Sequence, residues 1–299
     1  MLLETLIDKA TQNDAKTVAV AAAEDEEVIE AVLDALNRNL AHFLLFGDQE
    51  KIKPILQLKG IDANSENRLT IIHTASLAEA ADFAVKAVSS KEAHVLMKGN
   101  LPTNIILKSV LNKEFGLRTG NVLSHTAVFE VPGFERFIIV TDAAMNIAPD
   151  LQQKVQITNN AVSLAKAIGI ETPKIAPIAA VEEVNPAMQA TLDAAALTMM
   201  NRRGQIKGCL IDGPLALDNA ISALAAEHKG IQSEVAGEAD ILLVPAIEVG
   251  NALYKSLIYF ANAKVGAVIS GAKAPIVLTS RADSAESKLY SLALALCSV

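Results

Sequence analysis

The sequence predicts a two-lobed α/β fold, with helices packed on buried and mostly parallel strands, and three observations carry that prediction. Apolar runs of five to seven residues alternate with amphipathic stretches of ten to sixteen, the rhythm of strand–helix–strand units. Hydrophobic residues, dominated by Ala, Val, Leu and Ile, make up 51% of the chain, with 4% aromatic and no Trp. That palette suits strands covered on both faces rather than a β-sandwich. At 299 residues the chain has room for two lobes or one large α/β unit.

KTVAVAA (16–22) reads as the first strand, and EDEEVIEAVLDALNRN as a helix with acids in its first turn, where they favour the helix dipole. AHFLLFG (41–47), LTIIHT (69–74) and AHVLMKG (93–99) continue the strands, with helices between them. The rhythm then breaks. VLSHTAVFEV (122–131) and RFIIVTD (136–142), joined by the turn PGFE, read as an antiparallel pair that marks the change of lobe. QQKVQITNNAVSLAKAIG is helical, KIAPIAAV a strand, and PAMQATLDAAALTMMNRRG a helix ending on Gly204. KGCLIDG (207–213), ADILLVP (239–245), AKVGAVISG (263–271) and PIVLT (275–279) are strands, and AESKLYSLALAL is the last helix.

Mean hydropathy is positive, +0.32, yet every apolar run is interrupted by a charge, Gly or Pro before 18 residues. MLLETLIDKA has acids inside its apolar stretch and no basic leader, so it is not read as a signal peptide. A net charge of −8 and a pI near 5.2 provide no basic footprint for nucleic acid. Cys209 and Cys297 stand apart and lack metal-ligand spacing, so a reducing cytoplasm is expected and neither a disulfide framework nor a metal is.

Ligands of open α/β sheets sit beyond the carboxyl ends of the strands, which nominates the loops after 98, 212, 245 and 279. Asp283 and Glu286 have the spacing of a capping box, which puts Ser280 and Arg281 in the turn facing a helix N-terminus. Free N–H groups and a guanidinium there would seat phosphate; the same spacing also describes a plain capped helix with a surface Arg. Lys98-Gly99-Asn100 forms a strand–Gly turn, with Pro102-Thr103 opening a helix that carries Lys108. Such a turn admits phosphate, although a solvated Lys is the simpler reading, and no P-loop or dinucleotide fingerprint is present. Gly213-Pro214 follows CLID, with Pro214 suited to the first turn of the helix ALDNAISALAAEHKG. Asp212 or Asp218 there is either functional or an ordinary strand-end or helix acid. Gly250-Asn251 and Tyr254-Lys255 could line a site or simply begin a helix. His42, His73 and His94 lie in apolar strands and are expected in the core, whereas His125 and His228 lie in polar turns and are the site candidates.

Taken together, LFGDQEKI, LMKGNLPT, TDAAMNIAPDLQQK, IDGPLALDNAI, GEADILLVPAIEVGNALYKSL and ISGAKAPIVLTSRADS resemble the phosphate acetyl/butyryl-transferase family. The LMKGNLPT and LTSRADS forms look more like the butyryl branch. The resemblance implies a two-lobed, three-layer fold similar to the isocitrate/isopropylmalate dehydrogenase group, with the active site in the interdomain cleft. It implies a discontinuous first lobe, 1–120 with 273–299, a second lobe of 121–272, and a homo-oligomer of at least two chains. It also implies transfer of a short acyl group between coenzyme A and phosphate in a ternary complex. Both are substrates, and no permanently bound cofactor, nucleic acid or membrane partner is expected.

By matching motifs, Ser280 takes the place of the serine near the reacting carbonyl, and Arg281 that of a phosphate or coenzyme A arginine. Ser287 stands where the acetyl branch has a catalytic aspartate, so Glu286 and Asp283 are the candidate bases. Lys108 aligns approximately with a second phosphate arginine. Lys98, Gly99, Asn100, Thr103, His125, Gly213, Pro214, Asp218, Asn251 and Lys255 complete the expected substrate-binding set. A dehydrogenase on the related fold would need a metal-binding aspartate cluster, which the sequence does not show. A non-catalytic acyl-CoA-binding protein would instead follow from the missing aspartate.

Overall fold

The computed structural model describes residues 1–12, 15–62, 66–278 and 284–299. It divides into two compact units: Leu3–Asn121 with Gly266–Val299, and Met1–Leu2 with Val122–Val265. The first unit contains α1 (Glu4–Thr11), β1 (Lys16–Ala21), α2 (Glu26–Asn37), β2 (Ala41–Gly47) and α3 (Gln49–Leu58). It continues through β3 (Leu69–His73), α4 (Leu77–Ser89), β4 (Val95–Lys98) and α5 (Thr103–Val110). The second unit begins with β5 (Ser124–Glu130), β6 (Ile138–Thr141), α6 (Leu151–Ala167), β7 (Lys174–Pro177) and α7 (Gln189–Arg202). After these come β8 (Leu210–Ile211), α8 (Leu217–Ile221), α9 (Ala223–His228), β9 (Ile241–Leu243) and α10 (Ile247–Tyr259). The chain returns to the first unit within β10 (Lys264–Ser270) and ends with β11 (Ile276–Val277) and α11 (Ala285–Cys297).

Strands of the first unit lie in the order β3-β2-β1-β4-β11-β10, parallel except for the β10–β11 pair. Those of the second lie in the order β5-β6-β9-β7-β8, again parallel except for one pair. That pair is the hairpin read from the sequence, β5 with β6, in which Thr126 faces Thr141 and Phe129 faces Ile138.

Local chemistry fixes the helix ends. Asp25 accepts from the Val28 N–H at 3.1 Å to start α2, whose apolar residues Val28, Ile29, Val32, Leu33 and Leu36 are buried. The end of α2 is held from a distance: Arg68 donates to Leu36 O at 2.8 Å while its fork grips Glu66 at 2.9 and 2.8 Å. That guanidinium pulls the Glu66 carboxyl down to about 2. In α11 every residue from Lys288 to Leu296 is buried, the signature of a helix covered all round. Its charged member, Lys288, reaches Glu27 of α2 at 2.8 Å and holds that carboxyl below its usual range.

Several expectations are corrected. The stretch from 216 to 230 is two short helices rather than one. Ser222 adopts an extended conformation, ends α8 and caps α9 by accepting from the Ala225 N–H at 3.3 Å. The Ile221 carbonyl left by the break is taken by Arg136 at 3.2 Å, which also donates to Gly237 O at 3.0 Å. Pro214 lies outside the helix, after a cis peptide bond with Gly213 and ahead of α8. The N-cap of α11 is Ser284, which accepts from the Ser287 N–H at 3.2 Å; Asp283, expected to open a capping box with Glu286, lies outside the described residues. His42 and His73 are exposed rather than in the core, while half-buried His94 is satisfied by the Thr17 N–H at 3.1 Å.

In the second unit Lys154 and Asp193 pair at 2.6 Å, with side chains only 7% and 9% exposed, and Gln189 donates to the other carboxylate oxygen at 2.8 Å. Removing one member leaves a buried charge without its partner. Asp193→Ala is therefore expected to lower unfolding free energy by about 3–5 kcal/mol in a urea titration.

Candidate active site

The first unit gathers its chemistry at the carboxyl edge of its sheet. As β1 and β4 end, the Gly99 N–H donates to Ala21 O at 2.8 Å and the Asn100 N–H to Ala22 O at 2.7 Å. A Cβ at Gly99 would overlap the Ala22 carbonyl oxygen and lie 2.7 Å from that of Ala21. The glycine is thus required by the approach of the protein's own backbone, not by space left for a ligand.

Lys98, just before it, is 5% exposed and donates to Gly99 O at 3.3 Å. It is not the solvated lysine of the simpler sequence reading. Four residues further, Pro102 opens α5 without any side-chain cap, leaving the exposed Thr103 and Asn104 at its first turn. A buried ammonium and an uncapped helix N-terminus on the same strand end both favour an anion. Lys108 does not join them. It is five residues from Thr103, so about 500° of helical rotation turns it roughly 140° away, and it lies about 7.5 Å along the axis.

β11 leaves the sheet beside these groups, because Val277 pairs with Met97 and Ile276 with Leu96. Ser280, Arg281 and Asp283 lie outside the described residues. Glu286, exposed in the first turn of α11, accepts from the Tyr290 hydroxyl at 2.9 Å. Ser287 is occupied structurally: its N–H meets the Ser284 cap and its carbonyl accepts from Ser291 at 2.8 Å.

At the neighbouring strand ends, a groove of about 780 Å³ is lined by Glu24, Asp48, Lys51, His73, Ser76 and Asn100, among others. Asp48 and Ser76 cap α3 and α4 there, and Glu24 Oε2 is buried against Gly47 without a hydrogen-bond partner among the described residues. Sequence reasoning missed this groove, although the strand-end rule that nominated residue 98 applies equally after Gly47 and His73.

In the second unit, His125 is a buried strand residue rather than a turn residue. It is 8% exposed, with Nδ1 unpartnered among the described residues and its ring edge-on to Tyr254 at 5.8 Å. Burial pushes its pKa down, against an opposing pull from Asp142. Gly213 sits on the end of β7, where a Cβ would come within 3.1 Å of Pro177, and its carbonyl accepts from Thr198 at 3.3 Å. Asp212 faces Arg202 at 3.4 Å, and Asp218 is exposed in the five-residue α8. Gly250 permits close backbone approach, but the neighbour is the protein's own chain, Asp142 O at 2.6 Å from a Cβ. Asn251 and Lys255 are exposed on α10. Among the described residues, no group of three or more His, Cys, Asp or Glu is placed to hold a metal ion.

The pattern of the family described as "Phosphate acetyl/butaryl transferase" matches residues 67–296. The chain belongs to this family. It is 58% identical over 297 residues to a probable phosphate butyryltransferase of Bacillus subtilis (strain 168), covering 99% of this chain and 98% of that protein. With the phosphate butyryltransferase of Clostridium acetobutylicum it shares 51% identity over 290 residues, 97% of this chain and 95% of that one. A crystal structure of a branched-chain phosphotransacylase from Enterococcus faecalis V583 superposes with a TM-score of 0.83 at 37% identity, covering 95% and 98% of the two chains.

The lowered His125 pKa fixes the sign of one pH effect. Below about 6.5 the unfolded chain takes up a proton that the folded one resists, so stability falls with pH. Thermal scans between about pH 7.5 and pH 5 should show that fall, and His125→Gln should flatten it. An equal slope in both proteins would remove His125 as its cause.

Proposed function

We propose that this chain is a phosphate acyltransferase moving a butyryl or branched short-chain acyl group between coenzyme A and inorganic phosphate. The observation that carries the reading is the near-full-length similarity to a probable phosphate butyryltransferase and a phosphate butyryltransferase, at 58% and 51% identity. The buried Lys98 beside the uncapped start of α5 supports it, since the reaction needs a seat for phosphate.

Within a ternary complex, a phosphate oxygen attacks the thioester carbonyl carbon and a tetrahedral oxyanion forms. The C–S bond then breaks, acyl phosphate is released, and the sulfur leaves as thiolate to take up a proton. Ser280 donates to the oxyanion, and Arg281 with Lys98 holds the phosphate; the Asn100 side chain and the first turn at Thr103 border that seat. In the reverse direction a base helps, because a thiol of pKa about 8.5 is only slightly ionised at pH 7. Glu286 and Asp283 are the candidates, with phosphate itself able to share the proton. The Tyr290 hydroxyl orients Glu286 toward α11, which favours Asp283 or phosphate for that role.

Free-thiol release from butyryl-, isobutyryl- and acetyl-CoA, each with and without phosphate, tests the reading. Release should require phosphate and run faster with the two longer acyl groups. Thioester binding without turnover would replace the reading with a binding protein, and fastest release from acetyl-CoA would move the chain to the acetyl branch. Arg281→Ala should lower the rate by about 10²-fold or more and weaken phosphate saturation; an unchanged rate and saturation would remove Arg281 from the mechanism.

A further inference from the structure

Among the described residues three lysines are buried: Lys98, Lys154 and Lys288. Two of them serve the fold, Lys154 by gripping Asp193 at 2.6 Å and Lys288 by reaching Glu27 at 2.8 Å. Lys98 has a different position. It ends β4 at the carboxyl edge of the sheet, in register with Ala21 of β1, and its Nζ donates to Gly99 O at 3.3 Å. The backbone beside it is fixed as well, since the Gly99 and Asn100 N–H groups donate to Ala21 O and Ala22 O. The uncapped first turn of α5, with Thr103 and Asn104 exposed, begins a few residues further on.

A primary amine held at a phosphate seat meets more than inorganic phosphate there. The transferase reading, on which this inference rests, brings an acyl phosphate to the same seat. That molecule is a mixed anhydride, and a single oxygen joins its electrophilic carbonyl carbon to phosphorus. An ammonium bonds a phosphate oxygen at about 2.8 Å. Its nitrogen then lies about 4 Å from the carbonyl carbon, close to the roughly 3–3.5 Å of a near-attack arrangement.

We infer that Lys98 is a self-acylation site, modified by the acyl phosphate that the seat holds. The ammonium first loses one proton to water, and its nitrogen then bonds to the carbonyl carbon. The bond from that carbon to the bridging oxygen breaks. Phosphate leaves with the electron pair and takes a second proton from the nitrogen, which ends as a neutral amide. A lysine at pH 7 is rarely without its proton, so the step is slow beside turnover. Position, not ionisation, separates Lys98 from the solvated lysines: they meet acyl phosphate by collision, whereas Lys98 holds it. While coenzyme A is present, thioester formation empties the seat. When coenzyme A runs short, acyl phosphate dwells there and the amide forms. The modification removes a positive charge and places an acyl group where phosphate binds, so the enzyme is silenced by its own product.

Butyryl phosphate, added to the folded protein without coenzyme A, tests this by peptide mass spectrometry of every lysine. The peptide carrying Lys98 should gain a butyryl group about tenfold or more faster than those carrying the exposed Lys51 and Lys108. Inorganic phosphate should slow Lys98 alone, and in urea its advantage should vanish. Wild-type activity, read as thiol release on the same samples, should fall in step with acylation of Lys98. K98R keeps the charge without the amine; circular dichroism confirms its fold, and whatever activity it retains should survive the incubation. Acylation of Lys98 no faster than at exposed lysines, a rate indifferent to inorganic phosphate, or full activity after acylation would each overturn the proposal. A chain that transfers no acyl group fails the transferase reading, whereas an unmodified Lys98 in an active enzyme fails this inference alone.

Discussion

Completion of the first unit depends on the burial of α11. Nine consecutive residues of that helix, Lys288 to Leu296, are removed from water, and β11 supplies the only neighbour that β4 has on its side away from β1. Until residues beyond 265 are in place, β4 presents an open edge, and α1 and α2 lack the helix they pack on most extensively. The Lys288–Glu27 contact ties the start of the last helix to the start of the second, bridging 261 positions of sequence. The same closure brings the end of β11 beside Lys98. Folding of this unit therefore also brings together the groups of the proposed phosphate seat.

The proposed seat illustrates how a parallel sheet concentrates polar chemistry. Strands end together, their helices start together, and each start leaves unpaired N–H groups. Some of these are consumed internally, by Asp25, Asp48, Ser76 and Ser284. The first turn of α5 has no such cap and lies next to the buried ammonium of Lys98. The contrast between capped and uncapped starts, rather than any motif, distinguishes this strand end from its neighbours.

Much of this architecture was legible in the residues. Alternating period gave the strands at 41–47 and 69–73, the hairpin, and α6, because those segments are fixed by their own pattern of apolar side chains. What escaped depends on distant partners. The break at Ser222 requires Arg136, some 85 positions earlier, to accept responsibility for the Ile221 carbonyl. The burial of Lys98 depends on packing that no local window contains, and His73 is exposed because β3 is an edge strand. The glycines at 99 and 250 were read as candidates for a ligand site, but a sequence cannot say whether the group that approaches them is ligand or backbone. For the candidate site, Ser280 and Arg281 were legible only through their likeness to a family.

Burial also governs the two cysteines. Cys209 is buried and Cys297 partly so, its Sγ lying 3.5 Å from Leu6 O, and desolvation pushes both thiols up to about 11. At neutral pH almost none of either is thiolate, the form that attacks a disulfide. A catalyst that liberates coenzyme A works in a pool of free thiol and, under oxidative stress, of coenzyme A disulfide. Burial of both sulfurs thus works against capture of the protein as a mixed disulfide with its own product.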